Sequence, residues 1–296
     1  MRTLVTASLA FLLLLAAACG GGNPVVDPSG SASGNWQLDL LQNYPGPQTQ
    51  LSVSGFLVES NNALTGSVQG PTVSNPSGVV ECAGIGQLTG TLSGQNVTFS
   101  LSSGATVFNF TGVISPDHTS MSGDYQALAG ACFTKPTSGT WNAFLIPPLN
   151  GSFTGILSDS QYMEVVTGLN PAAPISVSGT LTQTPNVGAN NASLTGTITA
   201  VGYPCFARAS LTGTISGRTV VLSVYGYNGD LIGSIGLAKP AIVTATSSGA
   251  SLTTVPGGLT LGPINSNILT LGPCPVIQGV AGPTTDDNTA VALTFK

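Results

Sequence analysis

Apolar side chains alternate with Ser and Thr along much of the chain. Leu51 and Val53 flank Ser52, Val97, Phe99 and Leu101 enclose Thr98 and Ser100, and Val220, Leu222 and Val224 repeat the pattern later. A period of two is that of a strand with one buried face. Beyond the N-terminal leader no stretch sustains a helical period, so the pattern predicts an all-β protein. In the first half it predicts eight strands, centred on Trp36, Val53, Thr65, Thr91, Phe99, Phe108, Met121 and Ala143.

The two halves share their wording. "LTGTLSGQNVTFSL" at 88–101 returns as "LTGTISGRTVVLSV" at 211–224, "LSVSGFL" at 51–57 as "ISVSGTL" at 175–181, and "NNALTGSV" at 61–68 as "NNASLTGTI" at 190–198. Cys82 and Cys205 each stand six residues before the long phrase, and "GAC" ending at Cys132 is matched by "GPC" ending at Cys274. Ordered landmarks of this kind indicate a tandem duplication. The expected division is a domain over 34–147 and a second over 148–296, with the seam at "IPPLNG", where two prolines discourage a continuing strand. Within the repeated phrase, Ser93-Gly94-Gln95-Asn96 supplies residues that tolerate positive φ, so the phrase reads as a hairpin. Gly90 and Gly213 then fall where a strand must bend or pack closely.

Eight meandering strands close into a barrel without exposed edges, and a two-sheet sandwich is the alternative. In a meander, alternate connections emerge at the same end. The short connections at 58–62, 93–96 and 115–119 share one end, which places those bearing Cys82 and Cys132 together at the other. The expectation is therefore one disulfide per domain, Cys82–Cys132 and Cys205–Cys274. Each closes a loop of fifty residues or more, contributing about 3–5 kcal/mol in the chain-entropy model. The second domain carries extra sequence between Leu237 and Cys274, which reads as a surface loop, with an added β-excursion or a lid as alternatives.

The first nineteen residues, "MRTLVTASLAFLLLLAAAC", combine a basic start, a short apolar run and a small-residue exit, the pattern of a secretory signal peptide. Ala16-Ala17-Ala18-Cys19 resembles the lipobox of bacterial lipoproteins, with Ala16 where Leu is usual. That resemblance implies a leader over 1–18, lipidation of Cys19, and anchoring of the mature chain in a membrane. The sequence over 20–33 reads as a flexible Gly/Pro/Ser tether, so 19–33 is expected to be a lipidated spacer. Gly20, not Asp, follows the Cys; by the family's sorting rule this implies the outer membrane in a diderm cell. Four further cysteines fit an oxidising compartment, and none sits in a Cys-x-x-Cys pair.

Gly34-Asn35-Trp36 resembles the Gly-x-Trp on the first strand of lipocalins and avidins, with Gly151-Ser152-Phe153 in the equivalent place. The basic residue that lipocalins place on the last strand is missing from Trp141-Asn142-Ala143-Phe144-Leu145. The resemblance is one of architecture, and it implies a barrel in which aromatic side chains either fill a core or line a small cavity. On that basis Trp36, Phe99, Phe108, Tyr125 and Tyr225 are the ligand-binding candidates.

Composition narrows the chemistry. Charged residues are 6% of the chain, against 42% hydrophobic, and the six Lys and Arg residues in a net charge of −5 form no basic patch; nucleic acid is not an expected partner. The one histidine, His118, lies in the turn "SPDHTS". No nucleophile elbow, phosphate-cradling loop or dinucleotide fingerprint occurs, so no catalytic residue, metal or cofactor is assigned. Asp286-Asp287-Asn288 offers clustered oxygens but reads as an acidic turn, and Asp124 and Asp230 read as turn or strand-end residues. The expected role is a non-enzymatic structural or binding function in the cell envelope. A carrier of small hydrophobic ligands and a hydrolase with a dispersed carboxylate site are the rivals. Non-reducing peptide mapping is expected to recover Cys82–Cys132 and Cys205–Cys274; a bond between the halves would overturn the division into two domains.

Overall fold

The computed structural model describes residues 31–43, 50–70, 72–75, 78–81, 85–103, 106–129, 135–160, 173–186, 188–203, 206–226, 229–261 and 286–296. They form two antiparallel barrels in tandem. The first uses β1 (Gly34–Gln42), β2 (Gln50–Ser60), β3 (Ala63–Gln69), β6 (Ile85–Ser93), β7 (Asn96–Ser103), β8 (Thr106–Ile114), β9 (Ser120–Ala127) and β10 (Thr137–Ile146). Neighbours in sequence are neighbours in space, and β10 pairs with β1 to close the ring. All eight expected strand centres lie in this wall, which is a barrel and not a sandwich. A small hairpin of β4 (Thr72–Asn75) and β5 (Gly78–Glu81) interrupts the run between β3 and β6.

Tight turns set the register at one end. Asn61 and Asn62, both at positive φ (51° and 65°), join β2 to β3, as a type I′ turn requires. Gly94 takes φ 58° between β6 and β7, the first central position at which type II′ needs glycine. Leu92 N–H donates to Asn62 O at 2.8 Å and Ile114 N–H to Gln95 O at 2.9 Å, tying these turns together at the same end.

The second barrel repeats the plan with β11 (Gly151–Ser158), β12 (Ile175–Pro185), β13 (Ala192–Ala200), β14 (Ala209–Ser216), β15 (Thr219–Tyr225) and β20 (Asp286–Phe295), closed where β11 pairs with β20. Between β15 and β20 the wall forks. Residues 222–225 of β15 pair with β16 (Leu231–Ile235), which passes through β19 (Leu259–Leu261) to the first half of β20. Thr219 and Val220 pair instead with β17 (Ala241–Thr246), which passes through β18 (Gly249–Thr254) to the second half of β20. Two short strand pairs, end to end, thus fill the place of one long pair, and the circumference stays at eight. The extra sequence of the second half is therefore not a surface loop: Ala241, Val243, Ala250 and Leu252 are buried in the core. Residues 262–285 lie outside the described residues.

Inward positions in both barrels mix large side chains with glycines, and the two are paired across strands. Gly90 faces Phe99, Gly139 faces Tyr125, Gly179 faces Phe153 and Gly213 faces Leu222. A Cβ on Gly90 would stand 2.2 Å from Thr98 O and 2.4 Å from Phe99 Cβ, and one on Gly213 would stand 2.0 Å from Val221 O. These are backbone approaches that no rotamer change relieves. The Thr-Gly phrase recurs because each copy bends a strand tightly over its neighbour, which a small barrel demands. Overpacking of this kind costs about 1–3 kcal/mol. Gly90→Ala and Gly213→Ala are each expected to lower stability by about that amount in chemical denaturation, whereas exposed Thr89→Ala stays within about 0.5 kcal/mol.

Candidate functional site

The first barrel's aromatic candidates form one packed cluster. Phe99 stacks on Phe110 with ring centroids 4.5 Å apart, and Trp141 stands edge-on to both at 5.2 and 5.7 Å. Phe108 and Tyr125 continue the cluster, 6.3 Å apart. Trp141 enters through a gap made by glycine. Gly112 pairs with Gly123, and a Cβ on Gly112 would meet the Trp141 ring at 2.9 Å. The indole N–H of Trp141 donates to Thr111 O and Asp124 O at 3.2 and 3.1 Å. Trp36 is fully buried, and its indole N–H donates to Ala32 O at 2.9 Å. Edge-to-face and offset stacks add about 0.5–1.5 kcal/mol per pair beyond area. A ligand inside this barrel would have to displace that packing. Trp36, Phe99, Phe108 and Tyr125 are brought together, but as a core.

Tyr225 departs from expectation. Val220, Leu222 and Val224 point inward along β15, so strict alternation turns Tyr225 to the outer face, where it is half-buried. A register shift between Val224 and Tyr225 marks the end of regular pairing there. Cys19, Cys82, Cys132, Cys205 and Cys274 all lie outside the described residues.

The polar candidates do not converge. His118 sits at φ 55° in the β8–β9 turn, and its Nδ1 is shielded from solvent without a hydrogen-bond partner among the described residues. The neighbouring Asp117 carboxylate turns to Ser115 Oγ (2.5 Å) and to the Thr119 N–H and hydroxyl. Those donors, Ser115 foremost, hold its pKa below the ordinary carboxylate value. Asp124 and Asp230 are exposed on different barrels.

Two features between the barrels were not anticipated. The first is a seam. The β14–β15 turn, Gly217-Arg218, docks on the outer face of β1 and β2. Asn35, 3% exposed, donates from Nδ2 to Gly217 O at 2.9 Å and accepts from Gly217 N–H at 2.8 Å. The Arg218 N–H donates to Gln37 Oε1 at 3.3 Å, and the Ser54 and Ser216 hydroxyls lie 3.0 Å apart. The approach is close: a Cβ on Gly217 would stand 2.3 Å from Gln37 Oε1. The Arg218 guanidinium lies 5.2 Å from the Phe144 ring centroid and 3.9 Å from Asp39. The matching turn of the first copy, at Gly94, has nothing within 4 Å of a built Cβ. Turn chemistry is shared by the two copies; docking is not. The one hint in the sequence is that Arg218 puts a charge where the first copy has Gln95.

The second feature is a cleft of about 810 Å³. Its floor is the outer face of β2, β3 and β6, where Phe56, Ser67 and Gln87 form a cross-strand row. Leu145 and Ile146 at the end of β10, with Pro148 of the segment joining the barrels, supply one wall, and Pro185, Asn186, Gly188 and Ala189 of the second barrel the other. The joining segment is pinned by Leu149 N–H donating to Gln183 Oε1 (3.0 Å) and Gln183 N–H donating to Asn150 Oδ1 (2.6 Å).

No protein-family model matches the chain, and no curated protein is significantly similar to it.

Tyr125 gives a test of the filled core. It is 1% exposed, its hydroxyl has no partner among the described residues, and desolvation raises its pKa above the ordinary tyrosine value. Removing an unpaired buried hydroxyl is neutral or stabilising by about 1 kcal/mol, which is the expected effect of Tyr125→Phe at neutral pH. With the folded pKa raised, the contribution of this residue is complete below the unfolded value near 10 and falls as pH rises through it. Denaturation above pH 10 is therefore expected to weaken the wild type more than Tyr125→Phe.

Proposed function

We propose that the chain is a lipid-anchored cell-envelope protein with a binding, non-enzymatic role. The observation that carries this reading is the leader that ends in Ala16-Ala17-Ala18-Cys19 and runs into a Gly/Pro/Ser spacer. A lipidated Cys19 at the head of that spacer holds a folded body off a bilayer, and acyl chains on the Cys supply enough burial for stable attachment.

The far end of the spacer has the fixity that such an anchor needs. The Ala32 N–H donates to Glu59 Oε2 at 2.7 Å, and the Glu59 N–H donates to Ser33 Oγ at 2.9 Å. Ala32 is fully buried. The point at which a membrane tether would pull is thus clamped to β2 immediately before β1 begins. A pull on the tether loads the barrel wall and not a frayed end.

Binding in preference to catalysis is supported by the scatter of the titratable groups. His118, Asp124 and Asp230 sit on separate turns and strands, and general acid–base chemistry needs such groups within hydrogen-bond reach of one substrate. Loss of a hydrolytic activity on Asp124→Asn or Asp230→Asn would overturn this part of the reading.

Metabolic labelling with a clickable palmitate analogue tests the anchor. Label is expected on the wild type in the membrane fraction and is expected to vanish in Cys19→Ser. An unlabelled, freely secreted wild type would overturn it.

A further inference from the structure

We infer that the cleft between the barrels is a binding site for an uncharged single-chain amphiphile, an acyl chain with a neutral hydroxyl-bearing head such as a monoacylglycerol. The inference rests on the binding role proposed above and names the class of ligand. Volume comes first. About 810 Å³ lies within the roughly 300–1,000 Å³ of small-molecule sites, and the aromatic packing of the first barrel leaves that barrel's interior to side chains.

The walls fix the body of the ligand. Phe56, Val58, Leu145, Ile146, Pro148 and Pro185 present a largely apolar surface. Val58 is 56% exposed at the rim, on the outward side of β2 next to buried Leu57. An apolar chain laid between these side chains removes their surface from water, at about 25 cal/mol per Å².

Ser67 fixes the head. β3 alternates, so Leu64 and Val68 fill the barrel while Ser67 points outward into the cleft. There it is 4% exposed, and its hydroxyl has no hydrogen-bond partner among the described residues. A buried hydroxyl without a partner is destabilising, and a ligand that pairs with it recovers that loss. It is both donor and acceptor, and a ligand hydroxyl or ester carbonyl satisfies it. The arrangement is that of a ligand site: a largely apolar slot with uncharged polar side chains around it and a buried hydroxyl on its floor.

Charge decides the kind of head. Among the described lining residues none is Asp, Glu, Lys, Arg or His. A carboxylate or phosphate would be desolvated without a cation to receive it. The Glu59 carboxylate borders the Ser33 end of the cleft through its bond to the Ala32 N–H, and it repels an anion further. A free fatty acid is therefore a poor ligand, and its neutral glycerol ester a good one.

Equilibrium binding of fluorescent monopalmitoylglycerol to the purified full chain, kept below the lipid's aggregation threshold, tests the site. One saturable site per chain is expected, with palmitate competing at least about tenfold less well. Val58→Arg, at an exposed position that tolerates the change, is expected to weaken binding about tenfold or more by placing a charge against the acyl chain. Ser67→Ala is expected to weaken it about three- to tenfold, the worth of one neutral hydrogen bond. Circular dichroism on both variants separates loss of binding from loss of fold. No saturable binding, palmitate binding as tightly as its ester, or binding indifferent to both substitutions would overturn the assignment. The assay contains no membrane, so a chain that proves unlipidated at Cys19 leaves it intact, and a chain that binds no lipid leaves the anchor intact.

Discussion

Closing a narrow sheet over bulky side chains requires room that only a missing side chain provides. Gly90 under Phe99, Gly139 under Tyr125, Gly179 under Phe153 and the Gly112–Gly123 pair under Trp141 meet that requirement. Each lets one strand bend across its neighbour while a large side chain fills the inward space that glycine leaves. The two barrels depend on it equally, which is why Thr-Gly and Ser-Gly recur through a sequence of otherwise ordinary strands. From closure follow the buried core, the absence of free edges in the first barrel, and an outer face on which the barrels meet.

Much of this was legible in the residues themselves. Alternation of Leu and Val with Ser and Thr located the wall strands of the first barrel, and Ser93-Gly94-Gln95-Asn96 located a hairpin turn. The shared wording of the halves located the second barrel, because a pattern of period two repeated in order can hardly encode two different topologies. The misreadings have particular causes. Tyr225 is a ligand candidate by residue type alone, whereas the parity of Val220, Leu222 and Val224 places it outside. The insertion after Leu237 looked like loop because its Gly, Ser and Thr content resembles a turn; what betrays strand is the inward row Ala241, Val243, Ala250, Leu252. The seam was invisible for a deeper reason. Asn35 and Gln37 occupy outward positions on β1, where polar residues ordinarily meet water, and only the placement of the second barrel makes them buried.

The seam and the packed cores together direct attention away from the barrel interiors. An eight-stranded barrel can hold a small ligand inside, yet the first interior is occupied by stacked rings that stabilise it. Duplication supplied a different concavity. Two closed barrels set side by side, one turn of the second pinned to the first strands of the other, leave a slot along their outer faces. Ser67 and Phe56 are unremarkable outer-face residues in a single barrel, and gain a shared purpose only in the pair.

The second copy's turn, but not the first's, joins the barrels into one body. Amide hydrogen exchange on the intact chain measures this directly at two residues of matching sequence, local fold and nearly equal φ (53° at Gly217, 58° at Gly94). The Gly217 amide, held by Asn35 Oδ1, is expected to be strongly protected and to lose that protection in Asn35→Ala, while the Gly94 amide exchanges freely throughout. Equal and rapid exchange at Gly217 and Gly94 in the wild type would show barrels that do not stay docked, and the cleft between them would have no fixed shape.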